Sequence, residues 1–318
     1  DLSEMSKYYK WKIDLFEMKS QDVIDTFDKV SFFQDEPFPG VATIGKHLLI
    51  QNNYSSDCKV ILEGQGGDDF AGGYKYIFPL FLLDLLKNLN LNKFFKEIKS
   101  FKEIEKMNNI NFLMFFYYST IGFFKGGVSA DGTSTSLSKL LNLNIPEVIK
   151  KYNNVTFKYP RKTNFLKKII YRDIFYSKLP RILRSHDRLS MAHSKELRVP
   201  MLDHNIVEYF FSLQNKDIVQ NGILRKKYRD LCKEQFKNNK FLHFKKRYTP
   251  SPQTKWLRTS LFEWMYYRLT ALSFDLNGII DKKKLPKFLE DFKKNDKANN
   301  SNFIWMLLNL EYLFRNIK

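Results

Sequence analysis

The first chemistry legible in the chain sits in a glycine-rich run, Glu63-Gly64-Gln65-Gly66-Gly67-Asp68-Asp69-Phe70-Ala71-Gly72-Gly73-Tyr74. It follows Lys59-Val60-Ile61-Leu62, an apolar stretch that predicts a buried parallel strand, and a helix is expected to open at Asp68. Glycines let backbone amides approach a ligand closely, and a helix start carries partial positive charge. The run is not a dinucleotide fingerprint, because Asp69 stands where the third glycine belongs. Nor is it a Walker loop, because no Gly-Lys-Ser/Thr follows. Two adjacent carboxylates would repel a bare phosphate. They make sense if a divalent cation or a substrate ammonium lies between. A plain strand-to-helix turn capped by Asp68 is the alternative on pattern alone.

A second concentration of ionisable groups runs from Leu183 to Leu213 and holds Arg184, Asp187, Arg188, Glu196, Arg198 and Asp203. Spacing puts Asp187, Met191 and Ser194 on one helical face. Val199-Pro200-Met201-Leu202 predicts an apolar turn, and Asp203 a cap for a helix over Asn205 to Phe211. A salt-bridged helical hairpin is the competing reading. A third group, Lys245-Lys246-Arg247-Tyr248-Thr249-Pro250-Ser251-Pro252 ahead of Trp256-Leu257, is either a site loop or a solvated basic loop.

These segments resemble one family. EGQGGDDFAGGY is similar to the glycine turn of the asparagine synthetases. The block from Arg184 to His204 resembles their R-x-x-D-K/R-x-S-M-A-x-x-x-E-x-R-V-P-F/M-L-D-H. Asp35-Glu36-Pro37 matches the family's D-E-P, Asn221-Gly222 with Arg225 its N-G-x-x-K, and Phe303 to Phe314 its final helix. The resemblance implies that Glu63, Gly64, Gln65, Gly66, Gly67 and Asp69 border ATP and the acid substrate. It implies that Asp68 helps hold Mg²⁺ and pyrophosphate, that Asp187 faces the substrate, and that Arg188 supports the phosphates. Lys246, with Lys245 as competitor, falls on the catalytic lysine. Glu196, Arg198 and Asp203 are expected to buttress. Gln65 stands where many members carry an acid and resembles a glutamine-bearing branch linked to surface polysaccharides.

The implied reaction joins aspartate, ATP and ammonia into asparagine, AMP and pyrophosphate, with ATP and Mg²⁺ bound and ammonia drawn from glutamine. Amide formation on a polysaccharide or natural-product intermediate is the alternative, as is a degenerate module without catalysis. Relatives carry a Ser-Gly-Gly-x-Asp-Ser ATP loop upstream of D-E-P. No such loop precedes Asp35, and Lys125-Gly126-Gly127-Val128-Ser129-Ala130-Asp131 imitates it poorly. A glutaminase domain is likewise expected on a missing N-terminal part. The chain opens with Asp1, as a fragment would, and little turnover is expected from it alone.

The elements that must position these groups are read from periodicity. Lys12 to Met18 alternates as a strand does. Gln21 to Phe33, capped by Ser20, places Val23, Ile24, Phe27 and Val30 on one helical face, and Thr43 to Asn52 predicts another helix. The resemblance implies that residues 1–78 are the remainder of an α/β ATP-pyrophosphatase-like domain, and residues 79–318 a mainly helical synthetase region. The order of elements predicts an α/β fold class, a parallel sheet and then helices, and the resemblance implies that the sheet is a partial adenine-nucleotide α-hydrolase-like one. Phe112 to Phe124 predicts a buried helix too short to span a bilayer. Asp291 to Asn302 predicts an exposed loop, and Phe303 to Phe314 a helix docked on the core.

Composition narrows the classes. The 318 residues are 43% hydrophobic, enough for a large core. A formal charge of +19 fits nucleic acid, an anionic membrane or a phosphate-rich substrate. The basic residues are nonetheless spread along the chain, which reads as composition rather than a footprint, so neither a membrane nor a nucleic acid is expected as partner. Cys58 and Cys232 are the only cysteines, no secretory signal occurs, and the cytoplasm is the expected location. The five histidines lack HExxH spacing, which excludes that zinc chemistry.

Overall fold

The computed structural model describes residues 2–53, 57–124, 157–236, 251–271, 280–295 and 300–316. Its first part contains α1 (Leu2–Tyr9), α2 (Ser20–Gln34), α3 (Val41–Asn53), β1 (Val60–Leu62), α4 (Gly67–Phe70), α5 (Phe78–Lys87), α6 (Leu91–Glu105) and α7 (Asn109–Phe124). There follow α8 (Phe165–Arg172), α9 (Leu179–Met191), β2 (Glu196–Arg198), α10 (His204–Ser212), α11 (Asn215–Ile218), β3 (Val219–Gln220), β4 (Ile223–Leu224) and α12 (Lys226–Gln235). The last elements are α13 (Gln253–Arg258), α14 (Phe262–Thr270), α15 (Leu285–Lys294) and α16 (Ser301–Asn316). The chain is thus a mostly helical α/β protein. β1 and β2 form a parallel pair, with Val60 opposite Glu196 and Leu62 opposite Arg198, and β3–β4 is a short antiparallel pair.

Two apolar cores hold these elements. The first joins Val23, Phe27 and Val30 of α2 to Leu257, Phe262 and Met265 of α13–α14 and to Phe303, Ile304, Trp305 and Leu308 of α16. Phe27 meets Trp305 and Trp264 edge-on, with ring centroids 5.4 Å apart in each pair. The buried Asn309 side chain accepts from the Phe38 amide and donates to its carbonyl, satisfying a backbone stretch that no helix covers. The second core gathers Phe70, Ile77, Phe78 and Phe81 with Phe101 of α6, Leu166 and Ile169 of α8, and Phe210 of α10. Asp84 ties it together: its carboxylate accepts from the Phe165 and Leu166 amides at 2.8 and 2.9 Å and from Asn215 at 3.1 Å. An acid on α5 therefore supplies acceptors for the orphan amides at the start of α8.

Several sequence expectations are corrected. Lys12 to Lys19 has no regular structure; an alternating run becomes a strand only with a pairing neighbour, and none lies beside it among the described residues. Ser20 is the first residue of α2 rather than its cap: Lys19 is the N-cap, its amide donating to Asp22 at 2.7 Å. α9 ends at Met191, so Ser194, at φ 54°, is not on its face. β1 is buried only at Ile61, with Leu62 69% exposed. α15 runs through Asp291 to Lys294, where a loop was expected. α7 forms over the expected run, yet Phe112 is its one buried residue.

Candidate active site

The parallel pairing of β1 with β2 brings the two main motifs together. The Glu63 amide donates to the Arg198 carbonyl at 2.9 Å, extending the ladder past β1. The glycine turn then leaves β1 beside the Pro200–Leu202 turn that leaves β2. Gly66, at φ 98°, presses on Leu202 so closely that a Cβ there would lie 2.2 Å from Leu202 Cδ2. Only glycine fits both the backbone angle and the contact. α4 opens at Gly67, and the Asp69 and Phe70 amides both donate to the Gly66 carbonyl.

Glu63 is the meeting point of three elements. Its carboxylate accepts from Lys46 of α3 and, at 2.9 Å, faces His186 Nδ1 of α9. Burial alone would raise its pKa, but the hydrogen bonds from His186 and Lys46 hold it below the usual carboxylate range. Burial pulls the Lys46 ammonium down, and Glu63 offsets part of that shift.

Asp68 pairs with Arg225 at 2.5 Å. Gly73 lies against that carboxylate, where a Cβ would fall 2.3 Å from Asp68 Oδ1. Arg225, at φ 56°, immediately precedes α12, and Arg229 one turn on is pushed down to about 10 by burial and by Arg225. Behind the turn, Tyr74 and Tyr76 stack with ring centroids 5.5 Å apart, and the Tyr76 hydroxyl donates to Asp173 at 2.5 Å. Burial first, then the neighbouring aspartates, raises both phenol pKa values, so both stay protonated. Asp69 is 2% exposed, inside the turn rather than on its mouth.

On α9 the arginines meet the D-E-P segment. Arg184 pairs with Glu36, Arg188 lies 3.4 Å from Asp35, and the Gln34 side chain donates to the Ser185 carbonyl at 3.0 Å. Arg188 and Asp35 are 38% and 69% exposed, so their attraction is screened and Arg188 is held only loosely. Asp187, between His186 and Arg188, is exposed. Glu196 and Arg198 pair with each other at the surface, and Asp203 caps α10 through the Asn205 amide at 2.9 Å. Their support is that of the β2 backbone and the cap.

The structure therefore joins Glu63, at the start of the glycine turn, to His186, the residue before Asp187 and two before Arg188 on α9, while Asp68 pairs separately with Arg225. Lys245, Lys246 and the Lys125–Asp131 segment lie outside the described residues. Sequence reasoning missed Lys46 and His186. The second stood next to Asp187 in the cluster already singled out; the first carried no motif. As for magnesium, no group of three or more His, Cys, Asp or Glu comes together among the described residues, and Asp68 is already paired with Arg225. These residues do not fit the ion by themselves.

Comparison with known proteins places the chain in a family. The family model described as asparagine synthase matches residues 2–315, and the chain belongs to that family. The glutamine-hydrolyzing asparagine synthetase 1 of Bacillus subtilis (strain 168) is 26% identical over 304 residues, which cover 91% of this chain and 45% of that protein. Asparagine synthetase 3 of the same organism, also described as glutamine-hydrolyzing, is 24% identical over 285 residues, 86% of this chain and 39% of its own length. The chain thus spans less than half the length of these curated relatives. No solved structure matches.

Proposed function

We propose that this member of the asparagine synthase family contributes the acid-activating half of an ATP-dependent amide synthesis, with aspartate as the acid. One observation carries the reading: the glycine turn and the Arg184–Arg188 segment of α9, far apart in sequence, share the carboxylate of Glu63 through His186. In the proposed reaction a substrate carboxylate oxygen attacks the α-phosphorus of ATP and the bond to the bridging oxygen of pyrophosphate breaks. Ammonia then attacks the acyl carbon, loses a proton, and AMP departs with the former carboxylate oxygen.

The reactants are both anionic, so the main task of the protein is to bring like charges together. Arg188, loosely held by Asp35, is assigned to a phosphate, and the exposed Asp187 beside it in sequence to a substrate ammonium. The Gly64 to Gly67 backbone offers amides to the nucleotide, and Asp68 with Arg225 sets the charge at the turn. Lys246 is assigned the remaining cationic role by its motif. On this reading β1 and β2 are part of a larger adenine-nucleotide α-hydrolase-like sheet, residues 1–78 belong to its ATP-pyrophosphatase-like domain, and the glutaminase and the Ser-Gly-Gly-x-Asp-Ser loop come from outside this chain. The cytoplasm follows as the location.

The test is aspartate-dependent pyrophosphate release from a protein carrying this chain behind a Ser-Gly-Gly-x-Asp-Ser segment. Asp187→Ala is expected to lower the rate about a hundredfold or more. Unchanged release would remove Asp187 from the site. Gln65, uncharged where an acid is common, favours one second reading, a larger acid of a polysaccharide or natural product. Release that depends on such an acid and not on aspartate would select it.

A further inference from the structure

α7 (Asn109–Phe124) contains no charged residue and is apolar on all sides. One side, Phe112 with Phe115, Phe116 and Phe123, packs on the second core. The other is open: Ile110, Leu113, Met114, Tyr117, Tyr118 and Phe124 are 52–70% exposed. Their spacing of three and four residues makes one continuous stripe. An exposed apolar face of this extent marks an interaction surface.

The surroundings of the stripe say what kind. α6 precedes it and carries Lys93, Lys96, Lys99 and Lys102, with Lys106 just after, and a notch of about 530 Å³ along the second half of α6 and the turn into α7 is lined by Lys99, Lys102, Glu103 and Lys106 over Phe95, Ile98 and Met107. Lys102 donates to Asn109, the first residue of α7, so the notch and the stripe are contiguous. Of the three acids of α6, Glu97 is buried on the Asn221 and Gly222 amides and Glu105 is paired with Lys75, which leaves Glu103 on this surface. Phe95, 66% exposed, adds an apolar group among the lysines. At the far end of α7, Arg172 lies over the Phe123 ring.

We propose that α6 and α7 form a peripheral docking surface for an anionic lipid bilayer. Aliphatic and aromatic side chains enter the interface, and the α6 lysines meet lipid phosphates. Tyr117 and Tyr118 suit the headgroup level, where a ring is partly buried and a hydroxyl stays wet. α7 lies on the bilayer rather than through it: its 16 residues span about 24 Å, short of the hydrocarbon thickness, and none of the described helices is long and apolar enough to cross. Charge argues against a second copy as the occupant, since two copies joined here would bring their lysines together in a protein of net charge +19. The stripe itself lacks the cations that nucleic acid needs. The proposal departs from the sequence expectation of no membrane partner, which rested on the even spread of basic residues.

The experiment is vesicle flotation of the 318-residue chain with phosphatidylcholine alone and with added phosphatidylglycerol. Binding to the anionic vesicles only is expected. The Leu113→Glu/Tyr117→Glu chain should not float, and Lys96→Gln/Lys99→Gln/Lys106→Gln should bind about a hundredfold more weakly. All substituted side chains are on the surface, and an unchanged thermal midpoint verifies the fold. Flotation that survives Leu113→Glu/Tyr117→Glu overturns the proposal in favour of nonspecific basic attraction. No flotation at all overturns it too, as does a dimer in sedimentation that the same double variant dissociates. A gel shift with RNA that the double variant leaves intact, without flotation, assigns the charge to nucleic acid instead.

Discussion

His186 Nδ1 lies 2.9 Å from the Glu63 carboxylate, joining the helix of the Arg/Asp cluster to the first residue of the glycine turn across 123 positions of sequence. Lys46 reaches the same carboxylate from α3, so a single acid fixes the relative placement of three elements. Glu63→Gln leaves the Lys46 ammonium half-buried without its counter-charge. A stability loss of about 1–3 kcal/mol at neutral pH is expected. The folded-state pKa of Glu63 is depressed, so its contribution is present above the ordinary glutamate range and fades as pH falls through the folded value. Denaturant titrations of the two chains should therefore converge in acid; a constant gap down to the lowest pH would contradict the pairing.

Gly66→Ala tests the contact between the two strand-end turns. The substitution meets Leu202 at 2.2 Å and a φ of 98°, and a loss of about 2–4 kcal/mol is expected. Leu202→Ala in the same chain should recover part of it, because the steric half of the penalty disappears while the backbone half remains. Calorimetric midpoints for the two chains measure this, and an unshifted midpoint in Gly66→Ala would mean the turns are not in contact.

Asp84→Ala strips three donors of their acceptor: the Phe165 and Leu166 amides and the Asn215 side chain. Each is partly or wholly removed from water, and about 3 kcal/mol of destabilisation is expected. Hydrogen exchange should locate the effect at the start of α8. Uniform exchange across the chain would refute the local role.

How much of this was legible in the sequence depends on the element. α2, α3, β1 and α16 follow from periodicity because each packs one apolar face on a core that the chain itself supplies. Lys12 to Met18 alternates just as clearly and forms no strand, since pairing depends on a neighbour that periodicity cannot see. The apolar run of α7, too short to span a bilayer, predicts a buried helix, but composition does not say which side another element covers. The candidate site is read from the sequence where motifs run long, at Glu63 to Tyr74 and Arg184 to Asp203. Lys46 is not: an isolated lysine on an amphipathic helix looks like any solvated one until Glu63 is placed beside it.

His47 offers a pH test. It is fully buried on α3, its Nδ1 3.2 Å from His193 Nε2, and its pKa is pushed down to about 4 by burial and then by His193 and Lys29. Burial also lowers His193. Because the unfolded chain takes up these protons at higher pH than the folded one, stability falls as pH drops from about 6.5 toward 4. His47→Gln should flatten that slope in a pH series of urea titrations. An equally steep slope in the variant would assign the acid sensitivity to other groups.

The central claim is that the site activates a carboxylate by joining it to AMP. Aspartate labelled with ¹⁸O in its side-chain carboxylate, given to a protein carrying this chain behind a Ser-Gly-Gly-x-Asp-Ser segment with ATP and ammonia, tests it directly. The account predicts asparagine formation with one labelled oxygen in AMP and none in pyrophosphate. Label in inorganic phosphate with ADP as the second product, or asparagine formed with no label in AMP, would contradict it.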